Sequence, residues 1–189
     1  MKQYHLITFC LIILLGCEVS TEKKENINQI SKVQNLEINF QLPDLDGNIH
    51  HSSEWQGKAK LINFWATWCA PCRREIPLLN KTQYTYENDL QIIGIAVDFV
   101  DDVKAYEKEM PFDYPILVGQ ENAIAIAESA GIEFIGLPFT MIISAKDELI
   151  KTHLGEIKDQ HITKIIDILR RIETQELTID SARNILGNF

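Results

Sequence analysis

The most constraining feature of this chain is the stretch from Leu61 to Pro77, LINFWATWCAPCRREIP, in which an apolar run leads directly into two cysteines. The apolar run has the length of a buried strand, and a helix-like pattern begins at the cysteines. The stretch therefore predicts a strand followed at once by a helix, with Cys69 and Cys72 at the helix N-terminus. The free N–H groups and the dipole of such a terminus favour negative charge, which lowers a cysteine pKa from about 8.5 to roughly 3.5–7.5 in Cys-X-X-Cys motifs.

The spacing of the two cysteines assigns a role to each thiol. Cys69 is expected at the edge of the helix, exposed to a substrate, whereas Cys72 is expected one turn further in and close enough to form a short disulfide with it. Cys69 is therefore the predicted nucleophile and Cys72 the predicted resolving thiol. Pro71 restricts the backbone between them, and Trp68 offers a flat apolar cover beside them.

Two other uses of such a cysteine pair stay open at this point. The pair is half of a tetrahedral zinc site, but no second cysteine pair or closely spaced histidine pair follows it, so we expect neither a metal nor another cofactor. A purely structural disulfide is the second alternative. A loop of four residues removes little chain entropy, so such a disulfide would stabilise the fold only weakly.

Residues 63–77, NFWATWCAPCRREIP, resemble the active-site signature of the thioredoxin-like thiol-disulfide oxidoreductases of the TlpA/ResA type. A looser resemblance extends from about Leu36 to Arg171. It implies an α/β thioredoxin fold, with a central mixed β-sheet flanked by helices and an N-terminal β-hairpin. It also implies that the peptide bond before Pro138 is cis and faces the cysteines, and that Leu137 offers its backbone to an extended substrate segment.

The resemblance also singles out Glu75, which lies one helical turn after Cys72. A carboxylate there would accept the proton of the resolving thiol or raise thiol pKa values through repulsion between like charges. The alternative is a surface charge that pairs with Arg73 or Lys81. Thioredoxin has a buried acid at the position of Asn63, and an asparagine cannot exchange a proton.

The remaining elements follow from hydrophobic patterning and turn residues. The pattern predicts, in order, a hairpin over 36–51, a short helix from Ser52, a strand over 91–97, a helix over 101–109, a linking extended segment over 114–119, a helix over 121–131, a hairpin of strands 140–144 and 148–153, and a closing helix over 159–171.

The first 35 residues are predicted to lie outside the folded domain. An apolar stretch of signal-peptide length leads into the sequence LLGC, which ends at Cys17 and resembles the lipobox of bacterial lipoproteins. Cys17 is thus the expected lipidation site, and an uncleaved apolar anchor or an ordinary signal peptide is the alternative. The expected boundaries are a signal peptide at 1–16, a flexible tether at 17–35, a thioredoxin-like domain at 36–173 and a C-terminal appendage at 174–189.

The charge of the chain restricts its partners. With 27 acidic and 18 basic residues the formal net charge is −9, and no basic block offsets it, so nucleic acid is excluded as an expected partner. The peroxiredoxin pattern P-x-x-x-T-x-x-C is also absent, because Thr67 lies two residues before Cys69 and not three.

The resemblance implies an extracytoplasmic thiol-disulfide oxidoreductase, held on the periplasmic side of a bacterial membrane by a lipid anchor. Its expected substrates are protein disulfides, in cytochrome c maturation or in envelope redox homeostasis, and its electrons would come from a membrane electron-donor thiol protein. An oxidase or isomerase of envelope disulfides is one alternative. A lipoprotein that binds a partner without catalysis is the other, although it would need neither the cysteine pair nor Pro138.

Overall fold

The computed structural model describes residues 38–134 and 136–187. Within them the elements follow one another as strands β1 (Gln41–Pro43) and β2 (Ile49–His51), a 3₁₀ turn (Ser52–Trp55), β3 (Ala59–Trp65), α1 (Ala70–Thr85), β4 (Leu90–Ala96), α2 (Val100–Glu109), β5 (Ile116–Val118), α3 (Glu121–Ser129), β6 (Phe139–Ile143), β7 (Leu149–Leu154), α4 (Asp159–Glu173) and α5 (Ile179–Leu186).

The central sheet has the strand order β5-β4-β3-β6-β7. Strands β3, β4 and β5 run parallel, whereas β6 and β7 are antiparallel to their neighbours, and β1 pairs with β2 in a separate hairpin. The predicted class is therefore confirmed: a mixed sheet flanked by helices, preceded by a small antiparallel hairpin. Because β3 lies at the centre, its C-terminal end places the cysteines in the middle of one sheet edge.

Strand β3 is buried along its whole length, as expected of a central strand covered on both faces. Its side chains alternate, so that Leu61 and Trp65 belong to one core, and Ile62 and Phe64 to the other. The first core is completed by α1, α4 and α5, through residues that include Ile76, Leu79, Ile162, Ile165, Ala182 and Leu186. The second is completed by α3 and the hairpin, through residues that include Ala123, Ile126, Phe40 and Leu42.

The segment predicted as a linking extended stretch differs from that expectation. It contains β5, which pairs in parallel with β4 at the edge of the sheet. Within β5, Leu117 also forms a bridge with Asp44 of the hairpin. A strand of three residues is too short to show a period of its own, so its pairing is decided by the sheet beside it.

The described part of residues 174–189, expected as an appendage, contributes to the core. Helix α5 begins at an N-cap, where the hydroxyl of Thr178 accepts a hydrogen bond from the N–H of Ser181. Ala182 and Leu186 are fully buried, and the guanidinium of Arg183 donates to the carbonyl of Leu149 at 2.9 Å. This helix therefore covers part of α4 and β7.

The predicted signal peptide, Cys17 and the predicted tether lie outside the described residues. In the part of the chain that is described, no helix is both long enough and apolar enough to cross a membrane.

Candidate active site

The two cysteines form a disulfide at the N-terminus of α1, and their Cα atoms are 5.3 Å apart. Cys69 is the N-cap residue and has an extended backbone, which allows the chain to leave β3 and enter the helix. The N–H of Cys72 donates to the Sγ of Cys69 at 3.3 Å. A negative charge on Cys69 would therefore meet a backbone donor and the positive end of the helix dipole.

The exposure of the cysteines corrects part of the sequence-based expectation. Cys69 is only 6% exposed and Cys72 is completely buried. The order of accessibility is as predicted, but Cys69 lies deeper than expected because it packs into the first core with Trp65 and Ala66. A substrate disulfide would thus reach Cys69 through a narrow opening.

Trp68 and Pro71 are the neighbours of the two cysteines in the sequence, Trp68 directly before Cys69 and Pro71 directly before Cys72. Trp68 is 70% exposed, so its indole is free to contact a substrate and does not form part of the core. Pro71 occupies the first turn of α1, where the absence of an N–H costs no helix hydrogen bond.

Pro138 directly precedes β6, and the Leu137–Pro138 peptide bond is cis, as the resemblance implied. The antiparallel register pairs Phe139 with Phe64, so Pro138 lies at the same sheet edge as the loop that carries Cys69. Pro138 is buried, whereas Leu137 is half-buried and packs at the boundary of both cores.

An interaction that the sequence did not predict fixes the loop before the cysteines. Asp98, which follows β4, is 5% exposed, and its Oδ2 accepts from the N–H of Thr67 at 2.8 Å and from its hydroxyl at 2.7 Å. Its Oδ1 accepts from the N–H of Phe99 at 2.8 Å. One carboxylate thereby joins the two loops that display the exposed side chains of Trp68 and Phe99. The signal in the sequence was an acid at the end of a buried strand adjacent to β3.

Replacing Asp98 with asparagine should disturb this loop, because the amide would place a donor where a carboxylate oxygen now accepts. We expect the free energy of unfolding to fall by about 1–3 kcal/mol, the cost of leaving a buried donor unpaired. The fluorescence anisotropy of the tryptophans should fall as Trp68 gains freedom. Asp101→Asn, which changes an exposed acid of α2, is the matched control, and equal effects of both variants would contradict the role of Asp98.

Glu75 is not the surface charge that the alternative required, because it is 1% exposed. Its Oε1 accepts from the side-chain amide of Asn63 at 2.8 Å, and its Oε2 accepts from the N–H of Ile157 at 2.6 Å. Asn63 in turn donates to the hydroxyl of Thr140 at 2.9 Å. The asparagine that replaces the buried acid of thioredoxin therefore holds a different buried acid, supplied by α1.

Burial raises the pKa of Glu75 to about 7, from an ordinary value of 4.5. The hydrogen bonds from Ile157 and Asn63 oppose this shift, because they favour the charged form, and the nearby charge of Glu156 adds to it. A carboxyl group with this pKa exchanges a proton near neutral pH. It is thus suited to accept a proton from a thiol one helical turn away.

Among the described residues, no group of three or more His, Cys, Asp or Glu side chains is arranged to hold a metal ion. His50 and His51, which are adjacent in β2, belong to the hairpin, and both ring nitrogens of His50 contact carboxylates, those of Glu54 at 2.7 Å and Asp44 at 3.2 Å.

The chain is similar in sequence to known proteins along most of its length. The model of the AhpC/TSA family matches residues 33–152 of the chain. The thiol-disulfide oxidoreductase ResA of Bacillus cereus is 30% identical over 163 residues, which cover 82% of this chain and 91% of that protein. ResA of Halalkalibacterium halodurans is 28% identical over 135 residues, which cover 70% of this chain and 74% of that protein.

Solved structures of thiol-disulfide proteins are also similar to this chain. A thiol:disulfide interchange protein of the thioredoxin family from Chlorobium tepidum matches with a TM-score of 0.63 and 28% identity, covering 69% of this chain and 92% of that chain. The pneumococcal exposed lipoprotein thioredoxin Etrx1 from Streptococcus pneumoniae matches with a TM-score of 0.59 and 23% identity, covering 68% and 98%. The latter similarity concerns the fold alone. The predicted thioredoxin fold is thus confirmed.

Proposed function

Because this chain belongs to the AhpC/TSA family and is a thiol-disulfide oxidoreductase of the ResA type, we propose that it reduces disulfides of protein substrates outside the cytoplasm. The observation that carries the proposal is the arrangement at the start of α1. A cysteine pair able to close into a disulfide lies at a helix N-terminus, and a buried acid follows one turn later.

The proposed reaction is dithiol-disulfide exchange in two steps. The thiolate of Cys69 attacks one sulfur of the substrate disulfide, forming a mixed disulfide and releasing the other substrate sulfur as a thiolate. Cys72 then loses its proton and attacks the Sγ of Cys69, which expels the second substrate sulfur. The substrate gains two electrons, and the protein is left with the Cys69–Cys72 disulfide.

In this mechanism Glu75 accepts the proton of Cys72. The proton must leave in a region that bulk water does not reach, because both Cys72 and Glu75 are buried. A carboxyl with a pKa of about 7 takes up the proton and later releases it without a large free-energy difference in either direction. Asn63 and the N–H of Ile157 hold the carboxylate in place while it is charged.

A second thiol protein must return the disulfide to the dithiol form after each turnover. The resemblance to ResA-type proteins supports reduction over oxidation, with a membrane electron-donor thiol protein as the source of electrons. Disulfides of apocytochromes in cytochrome c maturation, or of other envelope proteins, are the proposed substrates. Trp68, Pro71, Leu137 and Pro138 are the proposed contacts for the substrate segment, since they lie on the sheet edge that carries Cys69.

Insulin reduction tests this function. The protein without residues 1–17 should accelerate the precipitation of the insulin B chain by dithiothreitol, and Cys69→Ser should return the rate to that of dithiothreitol alone. A protein that gives only the dithiothreitol rate, with its disulfide shown to be reducible, would contradict a reductase function.

Membrane attachment through Cys17 is a separate proposal, supported by the LLGC sequence that ends there. Cys17→Ala should leave the precursor unprocessed or release the protein from the membrane, and it should abolish labelling with a radioactive fatty acid. Cys10→Ala is the matched control, because this cysteine lies inside the predicted signal peptide and should leave labelling unchanged. Continued labelling of Cys17→Ala would refute the lipid anchor.

A further inference from the structure

The loop between β7 and α4, residues 155–158, contacts both halves of the active site. The N–H of Gly155 donates to the carbonyl of Pro138 at 2.8 Å. Two residues later, the N–H of Ile157 donates to the Oε2 of Glu75 at 2.6 Å. This short loop is therefore hydrogen-bonded both to Glu75, the proposed proton acceptor, and to the backbone of Pro138, one of the proposed substrate contacts.

Two further contacts fix the position of this loop. The guanidinium of Arg74 donates two hydrogen bonds to the Oε2 of Glu156, at 2.9 Å from Nε and 2.6 Å from Nη2. The side chain of Ile157 is 1% exposed and packs in the first core. Because Arg74 and Glu75 are neighbours in α1, the loop is attached to the active-site helix at two consecutive residues.

The hydrogen bonds of Glu75 depend on its protonation state. Each carboxylate oxygen faces an N–H donor, one from Asn63 and one from Ile157. A charge-assisted hydrogen bond is roughly twice as strong as a neutral one, so protonation of the carboxylate weakens both contacts. The attachment of Ile157 to α1 is therefore strongest when Glu75 is charged.

We propose that the 155–158 loop is a positioning segment that couples the protonation of Glu75 to the position of the Pro138 carbonyl. The inference deepens the proposed function and rests on it for its role in turnover. When Glu75 accepts the proton of Cys72, the hydrogen bond from the N–H of Ile157 to Glu75 weakens. The loop then becomes more mobile, and the hydrogen bond from Gly155 to the Pro138 carbonyl weakens with it. The substrate contact at Pro138 is thereby relaxed in the same step that frees the substrate sulfur from Cys69.

The coupling is testable in the oxidised protein, in which neither cysteine titrates. We expect the hydrogen-exchange protection factors of the Gly155 and Ile157 amides to fall about tenfold as the pH is lowered through a common midpoint. For the Ile157 amide this is the change expected when a charge-assisted hydrogen bond becomes a neutral one, and the coupling predicts a fall of the same size for the Gly155 amide. The midpoint should equal that of the Glu75 carboxyl, followed by carbon-13 NMR.

Other groups near the loop also carry charge or titrate. They are Arg74 on α1, Tyr114 before β5, His153 on β7, Glu156 and Lys158 in the loop, and His161 on α4. Burial lowers the pKa values of His153 and His161 from their ordinary value and holds that of Tyr114 well above its own. Glu75→Gln retains all of these groups, so the transition of both amides should disappear in that variant.

A milder variant keeps the test decisive if Glu75→Gln is poorly folded. Removing the charge of Glu156 with Glu156→Gln should move the midpoints of both amides together toward lower pH, because that charge opposes ionisation of Glu75. Asp167→Asn, which removes an exposed acid of α4, should leave both midpoints in place. The coupling would be overturned if the Gly155 amide showed no transition in the wild type, or if its transition persisted in Glu75→Gln. It would also be overturned if the Gly155 midpoint did not shift together with the Ile157 midpoint in Glu156→Gln. Insulin reduction would be unaffected by that result, so the two proposals fail separately.

Discussion

Replacing Cys72 with serine is expected to leave substrate proteins attached to Cys69 through mixed disulfides, because the sulfur that normally expels them is absent. Turnover should fall on the order of 10³-fold or more, the scale seen when one member of a catalytic group is removed. Trapped complexes from envelope extracts should be visible on non-reducing gels and disappear on reduction. Mass spectrometry of these complexes would identify the natural substrates.

Cys69→Ser is the control for this experiment, since it keeps one thiol of the pair. Cys69 is 6% exposed, whereas Cys72 is completely buried. Cys72, the thiol that remains in Cys69→Ser, should therefore trap few partners. If both variants trapped the same partners in equal amounts, the assignment of Cys69 as nucleophile would be wrong.

Replacing Glu75 with glutamine is expected to slow the second step while sparing the first. Loss of a positioned proton acceptor costs about 10²-fold or more in the step that it serves. The mixed disulfide should therefore accumulate in Glu75→Gln, and its decay should lose the dependence on pH around neutrality. The apparent thiol titration should move toward acid, because a like charge near the thiols is removed. Rapid-quench kinetics with a fluorescent disulfide peptide would separate the two steps.

Glu75→Gln is expected to slow the reaction, but it should also remove a loss of stability that the charged Glu75 causes. The sign of this second effect follows from the raised pKa of Glu75. Glu75 has a pKa of about 7 in the fold and 4.5 ordinarily, so the folded protein binds this proton more tightly than the unfolded chain does. The group imposes no penalty below pH 4.5; stability declines as the pH rises from 4.5 to 7, and the loss is constant above that range. The full loss is about 3 kcal/mol.

Urea denaturation at several pH values measures this effect in the oxidised protein. The wild type should lose about 3 kcal/mol more than Glu75→Gln between pH values below and above that range. Any hydrogen bond that glutamine cannot make lowers stability equally at all pH values, so the difference between the pH profiles is the informative quantity. Glu128→Gln, at an exposed acid of α3, should match the wild type. Parallel profiles for wild type and Glu75→Gln would show that Glu75 does not carry the raised pKa.

Local signals in the sequence were sufficient to predict where the cysteine pair lies in the fold. An apolar run that ends at a Cys-X-X-Cys pair predicted β3, the start of α1 and the order of accessibility of Cys69 and Cys72. The cis bond before Pro138 came from the resemblance alone. Helix α5 could have been predicted from the spacing of Ile179, Ala182 and Leu186, which places all three on one helix face.

The environment of Glu75 could not be predicted from the sequence. Its position marked it as a candidate, but its burial depends on Asn63 in β3 and on the N–H of Ile157, which is 82 residues away. Every residue other than proline has a backbone N–H, so the residue type at position 157 gives no sign of this hydrogen bond. The contact between Asp98 and Thr67 is different, because both follow adjacent strands at the same sheet edge, and that topology would have indicated it.

The most direct test of the proposed reaction is a stoichiometric exchange without any other reductant. The protein is first reduced, freed from dithiothreitol, and mixed with an excess of a protein disulfide substrate. One substrate disulfide should be reduced for each protein molecule, and peptide mapping should find Cys69 and Cys72 joined in a disulfide at the end. A substrate that remains oxidised, or one that is reduced while Cys69 and Cys72 stay as free thiols, would contradict dithiol-disulfide exchange at this site.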